Sequence, residues 1–247
     1  MGDTIRTGPL GQPIGAEVPG WEPRPLPPLL AMNGRTCRLE PLEPVRHGAD
    51  LHAANSADRA GAMWAYLPYG PFQTEEAYVA WVRDAALSND PLFYAVIDRA
   101  SGKPVGVASY LRIDPKNGVV EVGHIAYAPA LQKTVAASEA QFLLMRRAFD
   151  ELGYRRYEWK CNALNAASMR AAERFGFTYE GTFRQAAVVK GRNRDTAWFS
   201  LLDSEWPAVR TGFEAWLDPS NFEDGQQRRS LGHLIAAARA GEGAAHG

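Results

Sequence analysis

Glu121 and His124 have the side chains best suited to moving a proton in this 247-residue chain. Both lie in the run Glu-Val-Gly-His, the start of a segment, Glu121 to Ser138, that reads as strand, tight loop and helix start. A carboxylate accepts a proton directly or through water, and an imidazole titrates near neutral pH. Strand alternation sends residues three apart to opposite faces, so the two share a cleft only if a bulge lies between them. Beyond the strand, Gln132, Lys133, Thr134, Val135, Ala136, Ala137 and Ser138 make the loop and the first helical turn. Unpaired backbone N–H groups and the helix dipole at such a point hold a pyrophosphate well, with Lys133 adding positive charge and Thr134 and Ser138 adding hydroxyls. Asn165 and Ser168 open a later helix, where Asn suits the N-cap and Ser the first turn. Neither Cys37 nor Cys161 stands beside a recognisable base, so neither is read as a nucleophile.

The elements that must position these residues follow from periodicity. Patterns of period two and 3.6 alternate along the chain, which predicts an α/β (α+β) fold, a sheet covered by helices. Thr36 to Leu42 reads as a first strand, then Arg46 to Ala57 and Thr74 to Leu87 as helices, the second capped by Thr74. Leu92 to Ile97, Pro104 to Ile113 and Val119 to Tyr127 read as antiparallel strands joined by Asp, Asn, Pro and Gly turns. The helix after the loop sets Ala140, Leu144 and Ala148 inward and Glu139, Arg146, Arg147 and Asp150 outward, and Gly153 ends it. Tyr157 to Cys161 is a short strand and Asn165 to Phe175 a helix stopped by Gly176. Thr182 to Val189 and Arg194 to Leu202 form a hairpin with a polar tip. Trp206, Val209, Phe213 and Trp216 then stand at helical spacing, suited to the core or to a dimer contact.

Composition sets outer bounds. The 27 basic and 28 acidic residues give a net charge of −1, which removes the broad attraction that unspecific nucleic-acid binding needs. No apolar run approaches the ~20 residues of a membrane span, and two cysteines are too few for a disulfide scaffold or a Cys-rich zinc site. The expectation is a cytoplasmic protein with no metal, no membrane and no nucleic-acid partner. Residues 1–34 form a Pro/Gly-rich arm that Trp21 could pin to the surface, 35–217 the main domain, and 218–247 a tail expected to fray from Ala236 onward.

Glu121-Val-Gly-His, Gln132 with its loop, Asn165-Ala-Ala-Ser168, and Arg174-Phe-Gly-Phe177 followed by Glu180-Gly181, in this order, resemble the GNAT superfamily of acyl-CoA-dependent N-acyltransferases, RimJ/RimL-type branch. The resemblance spans roughly residues 35 to 203. It implies a mixed, mostly antiparallel twisted sheet with a splayed strand pair, where backbone groups of Ile125, Ala126 and Tyr127 take up the pantetheine arm of acetyl-CoA. It implies pyrophosphate binding at 132–138, with Asn165 meeting the cofactor arm. It also implies Ser168 near the thioester sulfur and Glu121 in the place of a general base. The acceptor would be a primary amine, on a protein N-terminus or a small molecule. Two departures stand out. Val135 occupies the place of the loop's first glycine, so the loop must take a different path, and Ala187 replaces a glutamate with which some ribosomal-protein members serve their substrate amine. Two other readings stay open: a silent acyl-CoA-binding module, and an enzyme for a larger acyl-CoA. Arg192, Arg194 and Asp195 at the hairpin and the loop Trp64 to Tyr69 are candidates for the acceptor mouth.

Overall fold

The computed structural model describes residues 6–245. Eight strands form one sheet: β1 (Met32–Asn33), β2 (Cys37–Pro41), β3 (Leu92–Asp98), β4 (Pro104–Asp114), β5 (Val119–Tyr127), β6 (Arg156–Asn162), β7 (Thr178–Val189) and β8 (Arg192–Leu202), in the order β1-β2-β3-β4-β5-β6-β8-β7. Every neighbouring pair is antiparallel except β5 and β6, which are parallel because a helix crosses between them. The helices are α1 (Pro44–Asn55), α2 (Glu75–Ala86), α3 (Val135–Arg146), α4 (Ala166–Arg174), α5 (Trp206–Leu217) and α6 (Leu231–Ala245).

The sheet separates two cores. Along β3, Leu92, Tyr94 and Val96 enter the core under α3 and α5, while Phe93, Ala95 and Ile97 enter the one under α1 and α2. Burial on both faces is why this strand reads as an unbroken apolar run. Local signals hold at the helix ends: Thr74 Oγ1 accepts from Ala77 N at 3.2 Å, and Gly153 and Gly176 take φ of 69° and 91° where their helices stop. Trp206, Val209, Phe213 and Trp216 are all buried, so that stripe belongs to the core.

Two expectations change. Glu139 and Arg147, expected on the outer face, are each 4% exposed. The Glu139 carboxylate accepts from the amides of Arg35, Thr36 and Cys37, at 2.7, 2.6 and 3.0 Å, which ties α3 to the start of β2. Arg147 donates to the carbonyls of Leu30 and Ala31 at 2.6 and 3.1 Å. Helix α3 is therefore covered on its polar side by the arm, and its end widens into a π-helical turn over Arg147–Glu151. Beyond α5, the part of the segment before Ala236 packs against the domain. Leu231, Leu234 and Ile235 are buried, and the Gly212 of α5 lets α6 approach so closely that an added Cβ would lie 2.8 Å from the Ile235 backbone.

Candidate active site

Strands β5 and β6 pair only at their beginnings, from Val119↔Arg156 to Val122↔Trp159. Past that point both continue, β5 to Tyr127 and β6 to Asn162, with no partner in each other. The split opens on a cavity of about 830 Å³, floored by Glu121 to Ile125 and by Trp159 to Asn162. Its size suits a small-molecule site.

The side chains in the split are brought together by a bulge. Ser109 pairs with Gly123 and Val107 with Ala126, so β5 carries one residue more than β4 here, and His124 takes φ of 50°. The extra residue reverses the alternation: Val120 and Val122 enter one core, whereas Ala126 enters the other. Glu121 and His124 consequently line the same cavity. The Glu121 carboxylate is 5% exposed and ion-paired to Lys160 Nζ at 2.9 Å and to Arg112 Nε at 3.1 Å. Lys160 also reaches Glu158 at 2.6 Å and lies 3.7 Å from the Trp198 ring centroid. Burial raises the Glu121 carboxyl above the ordinary carboxylate range, although Lys160 and Arg112 pull it down. Burial, with the charge of Arg194, lowers His124 to about 4, so its ring is neutral near pH 7. That ring stacks on Tyr69, at 5.6 Å and 8°, with Nδ1 at 3.3 Å from the phenol oxygen.

Helix α4 supplies the opposite wall. Asn165 is its N-cap, accepting from Ser168 N at 3.1 Å. Trp159 Nε1 donates to Ser168 Oγ at 3.0 Å, which leaves the hydroxyl proton free to be given away. Ser168 and Asn165 both line the cavity. The roof comes from the hairpin of β7 and β8, whose turn at Lys190 and Gly191 has φ of 50° and 71°. Lys190 Nζ donates to Trp64 O at 2.8 Å and closes the hairpin against the loop between α1 and α2. Met63, Tyr66, Leu67 and Pro68 of that loop are lining residues.

Residues 38–178 match the family model of the acetyltransferase (GNAT) domain, in agreement with this geometry. The chain belongs to the GNAT acetyltransferase family. A crystal structure of a GCN5-related N-acetyltransferase from Brucella melitensis is 51% identical, with a TM-score of 0.87 over 89% of this chain and 100% of that one. A GNAT-family structure from Chromobacterium violaceum is 44% identical, with a TM-score of 0.74 over 79% of this chain and 98% of that one. An uncharacterized N-acetyltransferase, p20, of Bacillus licheniformis is 27% identical over 139 residues, 56% of this chain and 78% of its own.

In this GNAT chain the loop before α3 takes a path that its sequence only half shows. The positive φ falls on Lys133, at 61°, and Val135 is an unstrained first residue of the helix. Thr134 caps the helix, its Oγ1 accepting from Ala137 N at 3.1 Å and donating to Leu131 O at 2.7 Å. The amides of Val135 and Ala136 have no intrahelical acceptor. Ser138 is buried and its Oγ accepts from Arg174 at 3.0 Å, so its hydroxyl is engaged inside the protein. Gln132 lines the cavity and donates to Tyr127 O at 2.8 Å, while residues 133–138 lie beyond the lining. Ile125 lines it as well; Ala126 is buried in the core under α1 and α2, and the Tyr127 hydroxyl accepts from Gln141 at 2.6 Å. Arg194 and Ala187 are lining residues; Asp195 instead accepts from Gln185 N at 2.7 Å and fixes a bulge opposite Arg194.

Lys160, Arg112 and Trp159 shape the site without having stood out in the sequence as candidates for it. Glu158 and Lys160 alternate with Tyr157, Trp159 and Cys161, a pattern that reads as a half-solvated strand. Only the neighbouring β5 and β8 show that Lys160 is enclosed.

Proposed function

We propose that this chain moves an acetyl group from acetyl-CoA to a primary amine by direct attack. The observation that carries the reading is the split between β5 and β6, opening beside a buried carboxylate. The open edge of β5 at Ile125 and Ala126 would receive the extended arm of the donor as an added strand. The amides at the start of α3, with Lys133, would hold its pyrophosphate. Acetyl-CoA supplies the activated acyl group.

The rest is the work of this chain's side chains. Glu121 takes the amine's proton, directly or through water, in a site where burial keeps it basic. Ser168, held by Trp159, gives its hydroxyl proton toward the departing sulfur. His124 is neutral and orients groups through hydrogen bonding rather than by titrating. The hairpin and the Trp64 to Tyr69 loop enclose the acceptor. A silent module drew its motive from Val135 and from Ala187 in place of an acid; the first weakens once the left-handed residue is Lys133, and the second stands.

Calorimetry with acetyl-CoA, followed by release of free thiol in the presence of a mixed amine panel, tests the reading. Binding together with amine-dependent thiol release is the expected result. Binding with no release on any amine would favour the silent module, and absent binding would move the donor elsewhere.

A further inference from the structure

The cavity holds more positive charge than its own carboxylates match. Arg112, Lys160, Arg184 and Arg194 line it, against Asp58 and Glu121. Both carboxylates are committed, Glu121 to Lys160 and Arg112, and Asp58 to the amide of Met63 at 2.7 Å. Arg194 is in a different position. It joins none of the ion pairs among the described residues, and its Nε is enclosed without a hydrogen-bond partner. Trp198 Nε1, on the same strand and the same cavity wall, is also a donor without an acceptor. Enclosed donors left unmade cost stability, and a guanidinium is shaped to give two parallel hydrogen bonds to a carboxylate or phosphate.

The placement of Arg194 separates it from the donor's phosphates. It stands on the wall with Trp198, Thr196 and Phe183, while the amides proposed for the pyrophosphate, at 133–138, are outside the lining. The wall is also firmly built. Phe183 stacks on Trp198 at 4.5 Å, Lys160 supports the ring's other contact at 3.7 Å, and Asp195 locks the bulge opposite. An anion here would sit in the same cavity as Glu121.

We infer that the acceptor amine also carries an oxyanion, a carboxylate or a phosphate, and that Arg194 is the specificity-determining residue that holds it. This rests on the reading of the site as an acetyl-CoA-dependent amine acetyltransferase. The bound oxyanion places its own amine toward Glu121, and an amine lacking it loses that anchor.

The test is steady-state acetylation of matched pairs at saturating acetyl-CoA: L-amino acids against their amides, and phosphoethanolamine against ethanolamine. The enzymes compared are the parent, Arg194→Gln and Arg194→Lys, each shown to be folded by circular dichroism. The parent should favour the oxyanion member of at least one series by about tenfold to a hundredfold in kcat/KM. Preference in the first series identifies a carboxylate, and in the second a phosphate. Arg194→Gln should bring the pair near parity by raising KM for the oxyanion member, with acetyl-CoA affinity unchanged, and Arg194→Lys should restore part of the preference. A parent that treats both members alike, prefers the neutral ones or uses neither overturns the inference, as does a preference that survives Arg194→Gln. The reading of the site fails on a separate measurement, the loss of acetyl-CoA binding by the parent in calorimetry.

Discussion

Glu121 and His124 face one cavity but respond to it in opposite directions. Burial makes Glu121 hold a proton to higher pH than an ordinary carboxyl, so it is the stronger base once ionised. Glu121→Gln should lower turnover by ~10²–10⁴ and should remove the acid limb that the parent shows as pH falls through the raised pKa. The loss should shrink toward high pH, where solution supplies neutral amine. A kcat/KM profile that runs parallel to the parent's from about pH 5 to 9 would take Glu121 out of the reaction. His124 is depressed to about 4, by burial first and by Arg194 second, so the folded state prefers its neutral form. Its contribution is fully present above the ordinary value of 6.5 and is lost as pH falls through 6.5 toward about 4. His124→Asn keeps a residue suited to the left-handed backbone and removes the titration. Urea denaturation near pH 7 and near pH 4.5 should show the variant losing about 2–3 kcal/mol less than the parent between the two.

At the scale of elements, the start of α3 depends on one backbone conformation. Lys133 is left-handed, and Thr134 then caps the helix that follows. Lys133→Gly should leave the fold intact. Lys133→Val places a β-branched side chain where it strains the backbone, at a cost of about 1–2 kcal/mol, and should also weaken acetyl-CoA binding. Thermal denaturation and calorimetry read the two effects. If Lys133→Val matched the parent in both, neither folding nor donor binding would require that geometry. Ala137, buried in the core at 8% exposure, is a poor probe of the loop, because a large side chain there would overpack α3 before it met any ligand.

The whole molecule is fastened by its arm. Trp21 Nε1 donates to Lys116 O at 2.9 Å, Tyr154 and Tyr94 donate to Pro25 O and Pro28 O at 3.1 and 2.9 Å, and Arg147 holds Leu30 and Ala31. Pro25 and Pro28 offer carbonyls and no N–H, so side chains of the domain supply the donors at these two positions. Arg147→Met should cost about 3 kcal/mol, since it removes two charge-assisted hydrogen bonds and leaves two carbonyls short of partners. It should also expose the arm near residue 30 to proteolysis. Unchanged urea stability and an uncut arm would mean that the strap is held by its other contacts.

The strands and helices, the stops at Gly153 and Gly176, and the caps at Thr74 and Asn165 were legible because each depends on residues within a turn of one another. The order of motifs also carried the family. What local pattern could not supply was which polar groups would be enclosed. Glu139 and Arg147 are buried because partners about a hundred residues away, in the arm and at the start of β2, bring backbone groups to them. His124 joins Glu121 only because β4 pairs with β5 one residue out of step, and Lys160 is enclosed only once β8 lies beside β6. Periodicity records what one element wants to bury; the cleft between elements, and the charge left unmatched in it at Arg194, exist only after distant strands have chosen their register.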